Sequence, residues 1–373
     1  MDKKKAIIYP YDCESTYFFR HNGQNKEFNV VGAVAPKGWG ITGKDVGSID
    51  GSEEEFGISI KNSFDDFYHD FDTVIIIDSH LELDFDQYIY PKIKELIRSK
   101  KEVVCLRHLT DDQLNKIKEL SSRYITCVSQ RNHWLRQHDS LESFSIMDIN
   151  TPIIFVTGLS SRTHKFEIQL SLRAELLGLG YSVSQVGTKN HCEFFGFHSY
   201  PSFMMSNSIS ESAKVIMFNR YIKEIEEREK TDAIIIGIPE GIMAINRNFT
   251  DGFGISAYLV SQAVKPDVNV FSVSYGQYTD KFFNDIDNLF KYRFGYNVDC
   301  INFSNFKLDY QESNLTMKKL YTIIDSDFID NKKNKYRGGM KPIYNILNVN
   351  DRRRMTNHII DLLSGEDALE DIL

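Results

Sequence analysis

The sequence predicts an α/β protein built as two doubly wound, mainly parallel-sheet domains. Three observations lead there. Short apolar runs rich in β-branched residues alternate with longer amphipathic segments, the pattern of strands crossed over by helices. The alternation breaks once, across the polar, aperiodic residues 129–151, and then resumes. The 373 residues also exceed what one typical core accommodates. The expected organisation is therefore a domain over 1–128, a linker over 129–151 and a second domain over 152–373.

In the first domain KAIIY (5–9), NVVGAV (29–34), TVIII (73–77), EVVCL (102–106) and YITCV (124–128) read as buried strands, being too short for buried helices. Between the later ones, 84–99 and 111–122 space Ile and Leu at the helical period. The second of these opens on Thr110-Asp111-Asp112, an N-cap followed by acids in the first turn. This is a Rossmann-like arrangement. In the second domain strands are expected at 153–157, 181–186, 232–238, 268–273 and 298–303. The helices between them are expected at 165–178, 209–230, 254–265 and 280–294. A last strand, a helix over about 350–363 and an acidic tail close the chain.

Composition narrows the function classes. Apolar content of 42% and charged content of 26% suit a globular, water-soluble chain. A formal net charge of −8 argues against nonspecific binding to nucleic acid or acidic membrane. No apolar run approaches the roughly 20 residues that span a bilayer. The opening MDKKKAIIYPYD reads as a first strand and not as a secretory signal. Five scattered cysteines without a C-x-x-C pair suit a reduced, cytoplasmic protein.

Two stretches compete as phosphate loops. GWGITGKD (38–45) has the letters, with Gly38, Gly43 and Lys44 in G-x-x-x-x-G-K spacing and Gly38, Gly40 and Gly43 in G-x-G-x-x-G spacing. A phosphate site needs more: the loop must run from a strand directly into a helix, whose unpaired amides and positive dipole end hold the anion. The residues after Lys44 show no helical period, so this stretch reads as a glycine-rich surface loop. IIFVTGLSSRTHKFEIQ (153–169) has the context instead: a buried strand, Gly158, a polar loop, Lys165 and an amphipathic helix. Its lysine lies seven residues after the glycine. His164 stands where a second glycine is usual, and Phe166 where a Mg²⁺-binding hydroxyl is usual. Gly158, Ser160, Ser161, Arg162, Thr163 and Lys165 are the candidate phosphate-binding residues, with ATP or GTP and Mg²⁺ as the cofactors such a loop would take.

Glu240, in a Pro-Glu-Gly turn after strand 232–238, lies at the same expected sheet edge and is the candidate metal and catalytic carboxylate beside Lys165. A loop carboxylate with no such role is the plainer alternative. Asn246, Arg247, Asn248 and Asp251 follow as a rim. The long connection 187–203 carries His191, Cys192, Glu193 and His198, whose spacing matches no zinc pattern. It also carries five aromatics, Phe194, Phe195, Phe197, Tyr200 and Phe203, which suit packing or a partner loop. Arg352-Arg353-Arg354 reads as a solvated helix face.

Residues 29–51 (NVVGAVAPKGWGITGKDVGSIDG), with TVIIID and EVVCLRHL, resemble the N-terminal domain of a two-domain bacterial family. That family couples a Rossmann-like domain to a dethiobiotin-synthetase-like P-loop domain, and some members are implicated in N-acyl-D-amino-acid metabolism. The segments 156–187 and 192–206 carry a closer resemblance to the accessory "peptide maturation system protein" found beside genes for ribosomally made, modified peptides. The resemblance covers nearly the whole chain. It implies a P-loop NTPase-like second domain, with Gly158 and Lys165 at the P-loop positions, and Gly43, Lys44 and Asp45 at a glycine-lysine-aspartate segment of the first domain. It implies an ATP- or GTP-dependent ligase, kinase or NTPase whose partner is a precursor peptide or a peptide-modifying enzyme. The alternative is a non-catalytic scaffold of the same fold that binds such a partner, and homo-oligomerisation is left open.

Overall fold

The computed structural model describes residues 2–52, 54–67, 70–120, 125–127, 145–336 and 341–365. The chain forms two compact units: Met1–Arg131 with Glu193–Gly196, and Asn132–Cys192 with Phe197–Leu373. Most of the expected linker, 129–144, and the expected acidic tail, 366–373, lie outside the described residues.

The first unit is a five-stranded parallel sheet of β1 (Lys4–Tyr9), β2 (Phe28–Ala33), β3 (Thr73–Ile76), β4 (Glu102–Cys105) and β5 (Ile125–Cys127), in the order β2-β1-β3-β4-β5. Of the expected strand 124–128, residues 124 and 128 lie outside the described residues. The helices are α1 (Tyr17–Arg20), α2 (Tyr90–Arg98) and α3 (Asp111–Lys118). Thr110 caps α3 through a full capping box with Gln113. The expected helix 84–99 divides: a π-turn over Phe85–Ile89 precedes α2, because Pro91 at its start has no N–H to continue the ladder. Ile7, Val74, Ile76, Ile89, Ile93 and Val103 are core residues of this unit. The segment Glu193–Gly196 packs here, with Phe194 stacked on Phe28 at 5.7 Å and Phe195 against Phe18 at 5.5 Å.

The second unit is a six-stranded, all-parallel sheet of β6 (Ile153–Gly158), β7 (Val183–Val186), β8 (Ala233–Gly237), β9 (Val268–Val273), β10 (Cys300–Phe303) and β13 (Ile343–Tyr344), in the order β13-β10-β9-β6-β8-β7. Its helices are α4 (Lys165–Gly178), α5 (Glu211–Glu229), α6 (Ile255–Ala263), α7 (Asp280–Leu289), α8 (Tyr310–Thr316), α9 (Ser326–Lys333) and α10 (Val349–Ser364). Alternation along each strand divides the core. Ile153 and Phe155 join the cluster of Phe218, Ile222, Val260 and Phe290 from α5, α6 and the turn after α7. Ile154 and Val156 join Ile168, Leu172, Met355 and Ile359 from α4 and α10. Helices therefore cover both faces, which is what a doubly wound sheet requires.

Differences from the sequence reading are local. Strand β7 starts at Val183 because the Ser182 amide and hydroxyl both bond the Asp232 carboxylate, at 2.7 and 2.6 Å. That same contact keeps Asp232 out of β8. Residues 147–151 are tied to α5: the Met147 amide donates to Asn219 Oδ1 at 2.8 Å, and the Asn150 and Thr151 amides donate to Glu226 Oε1 at 2.6 and 2.7 Å. A short antiparallel pair, β11 (Phe306–Leu308) and β12 (Tyr321–Ile323), stands apart from the main sheet with α8 between its strands. Arg352 is not part of a solvated face: it is buried, and its Nε donates to the Ile346 carbonyl at 2.7 Å.

Candidate functional site

Strands β6 and β9 are neighbours, yet β6 connects onward toward the β7 edge and β9 toward the β13 edge. Their C-terminal ends therefore form the topological switch point, the place where open α/β sheets bind ligands. The Gly158–Lys165 loop leaves β6 there. Its start is fixed by the Leu159 amide, which donates to the Ser272 carbonyl of β9 at 2.8 Å, and by the Ser272 hydroxyl, which donates to the Thr163 carbonyl. Gly158 is required by close approach. A Cβ there would lie 2.5 Å from Thr163 Oγ1 and 3.1 Å from Lys165 Nζ.

The loop enters α4 through His164, which adopts the left-handed conformation (φ 62°, ψ 19°) that glycine would take more cheaply. This conformation costs an L-residue about 1–2 kcal/mol. Contacts that hold it include Nδ1 pairing with Ser304 Oγ at 2.8 Å and the ring lying 4.7 Å from that of Phe306. The substitution thus keeps the backbone shape of the usual glycine. Phe166 is buried against Phe197 and His191, with ring centroids 6.2 and 5.9 Å away. No hydroxyl stands at that position to meet a metal.

Lys165 is the centre of the arrangement. Only 4% exposed, it donates to the Ser160 carbonyl at 2.7 Å and to the Glu240 carbonyl. Burial pulls its ammonium from 10.5 down to about 7. Asp251 opposes that shift, Lys319 and Lys189 add to it, and Glu240 opposes it weakly. Ser160 and Thr163 are buried, Ser161 is exposed, and Arg162 lies over the Tyr321 ring at 5.1 Å. The loop therefore gathers Gly158, Ser160, Thr163 and Lys165 at one place, and turns Arg162 toward the β11–β12 pair.

Glu240 also has positive φ (60°). Its carboxylate accepts from Ser256 Oγ at 3.1 Å in the first turn of α6, where a negative charge meets the helix dipole. Gly241 lets the chain pass close: a Cβ there would lie 2.6 Å from the Leu159 carbonyl and 2.7 Å from Asp251 Oδ2. Two further residues complete the site: Asp251, expected from the sequence on the rim of this crevice, and Lys319, which the sequence does not single out. The Asp251 carboxylate is buried and accepts from the Ser161 amide at 2.7 Å and from Lys319 Nζ at 2.9 Å. Lys319 donates also to Ser161 Oγ at 2.7 Å. Nothing in the local sequence around Lys319 marks it, because it reaches the loop only through the β11–β12 fold. Among the described residues no cluster of three or more His, Cys, Asp or Glu side chains is placed to hold a metal. A Mg²⁺ here would rely on Glu240, water and ligand phosphate oxygens, a coordination Mg²⁺ commonly takes.

The other stretches resolve as follows. In 38–45 the chain runs into a 3-10 turn, Val46–Ile49, and not into an α-helix. Lys44 is exposed, and Asp45 accepts the Gly47, Phe56 and Ile58 amides at 2.8, 3.1 and 2.9 Å. In the 187–203 connection Phe194, Phe195, Phe197 and Phe203 are all buried. Burial, helped by Lys189, pushes His191 down to about 3, and His198 pairs with Glu229 at 2.6 Å. At the switch point of the first sheet, where β1 and β3 end, the buried Asp12 accepts the His80 amide at 2.7 Å and pairs with His80 Nδ1 at 3.0 Å.

Together these features define a class: a two-domain protein of doubly wound parallel sheets, with a lysine-bearing loop at the switch point of the second. The crystal structure of a DUF1611 family protein from Anabaena variabilis ATCC 29413 is similar, with a TM-score of 0.55 at 11% identity over 84% of this chain and 91% of that one. At that identity the likeness is one of fold. No protein-family model and no curated protein matches the sequence.

Proposed function

We propose that the Gly158–Lys165 loop binds the phosphates of ATP or GTP with Mg²⁺, and that the chain is an NTP-dependent accessory enzyme of ribosomal peptide maturation. The observation that carries the nucleotide reading is Lys165, an amine buried at the start of α4 whose hydrogen-bond partners among the described residues are neutral carbonyl oxygens. Such a group is stabilised by an arriving anion, as are the first amides of the helix behind it. Lys165 would neutralise phosphate charge, Arg162 would add a planar donor set, and Glu240 would hold the metal or orient an acceptor group. Bound nucleotide would supply the activating phosphoryl or nucleotidyl group for a carboxylate or hydroxyl of the substrate.

The peptide part of the reading rests on the resemblance of 156–187 and 192–206, together with the apolar residues near the loop. Phe253, Ile255 and Tyr258 are exposed by 55, 49 and 44%, close in sequence to Asp251, and would receive apolar side chains of a peptide. The buried phenylalanines of the 187–203 connection have no such surface to offer, which weighs against the scaffold alternative in its aromatic-loop form.

The deciding experiment is calorimetric titration of Mg-ATP and Mg-GTP into the protein and its Lys165→Ala variant. Binding that disappears in the variant is the expected result. No heat at millimolar nucleotide, with both proteins folded, would remove the enzyme reading.

A further inference from the structure

The turn over residues 251–254 has an unusual backbone. Asp251, Gly252, Phe253 and Gly254 all have positive φ, at 46, 71, 53 and 73°, and two of the four are not glycine. The outcome is that the Asp251 carboxylate points inward, 3% exposed, while the Phe253 ring is left 55% exposed. Inside, the carboxylate meets the Ser161 amide at 2.7 Å and the Lys319 ammonium at 2.9 Å. A loop amide with an ammonium beside it is the donor set that recognises a phosphate oxygen. The turn is gripped on its other side, where the Phe253 carbonyl accepts from Arg293 at 2.7 Å and Gly252 packs on the Glu240 carboxylate.

From this geometry we infer that Asp251 is an internal stand-in for a ligand phosphate, and that nucleotide binding exchanges its carboxylate for a phosphate group and makes Lys319 a phosphate ligand. The inference rests on the phosphate-loop reading of residues 158–165 and adds to it a competing group and a second cation. The exchange is favourable in charge. A phosphate group brings more negative charge than one carboxylate and reaches Lys319 together with Lys165, which Asp251 leaves among carbonyls. The turn that carries Asp251 also touches Glu240, so its release alters the surroundings of the candidate metal carboxylate in the same step.

The competing explanation is that the Asp251–Lys319 pair merely ties the β11–β12 fold to the loop. Titration of ATP into the full-length protein, Asp251→Asn and Lys319→Gln separates the two, with hydrogen exchange of residues 249–256 followed alongside. Asn keeps an acceptor for the Ser161 amide but drops the charge that competes with phosphate. The exchange model expects affinity to rise about tenfold or more in Asp251→Asn and to fall about tenfold in Lys319→Gln. It also expects faster exchange of the 251–254 amides when the unmodified protein binds ATP. Unchanged or weaker binding in Asp251→Asn, with the unmodified protein still binding, overturns the exchange and leaves the phosphate loop standing. No binding by any of the three overturns both. If Asp251→Asn does not fold, Lys319→Gln decides: unchanged affinity there overturns the inference.

Discussion

At the scale of single residues, Lys165 gives a proton-linked prediction. Its folded value of about 7 lies below the 10.5 of an unperturbed lysine, so between these values the unfolded chain holds a proton that the folded chain lacks. Stability should therefore rise from pH 7 toward pH 10, by at most about 1.4 kcal/mol per unit, and Lys165→Met should flatten that slope in denaturant titrations. The same linkage acts on binding. Phosphate favours the charged form, so nucleotide affinity should fall as pH rises above 7, and binding at pH 8 should take up a proton. Titration in buffers of differing ionisation enthalpy would measure that uptake. Asp12 gives the same sign of slope in the acid range, from the opposite cause, a charged form that the fold favours. Burial pushes its carboxyl up, but the His80 hydrogen bonds and charge outweigh burial and leave it below 3.8. Its contribution is present above that value and is lost as pH falls through the lower folded one. Asp12→Asn should cost about 1–3 kcal/mol at pH 7, with the difference from the unmodified protein closing below pH 4.

At the scale of elements, the sequence was most legible where periodicity was long and uninterrupted. Helix α4 occupies the expected 165–178, and β9 the expected 268–273, because each has an apolar pattern that permits one reading. Legibility fell where a side chain from elsewhere intervened, as where Asp232 holds Ser182 out of β7. The strands β11 and β12 are three residues each, too short to show a period. That omission hid Lys319. The loop itself was readable from Gly158 to Lys165, but Asp251 reaches it across 90 residues of chain, a contact no local pattern carries. Elements also differ in how they are anchored. Glu226 on α5 is buried, and burial would raise its carboxyl, but Lys223 and the Thr151 and Asn150 amides bring it below 4.5. Glu226→Ala would orphan those amides, and chemical denaturation should show a loss of about 1–3 kcal/mol.

For the molecule as a whole, the net charge of −8 sets what it meets. It should pass unretained through a heparin column at physiological salt, and retention there would overturn the exclusion of nonspecific nucleic-acid binding. The two parallel sheets each present a switch point, and among the described residues the second carries a buried lysine there, Lys165. The left-handed turn at 251–254 then has a consequence in mass action. A carboxylate fixed to the chain beside the loop would act as a tethered competitor, present at the same local concentration whatever the dilution of the protein. Free carboxylates and inorganic phosphate would have to exceed that local concentration to enter, whereas a nucleotide gripping several groups at once would not. The turn would thus serve as a built-in threshold that screens small anions out of the loop.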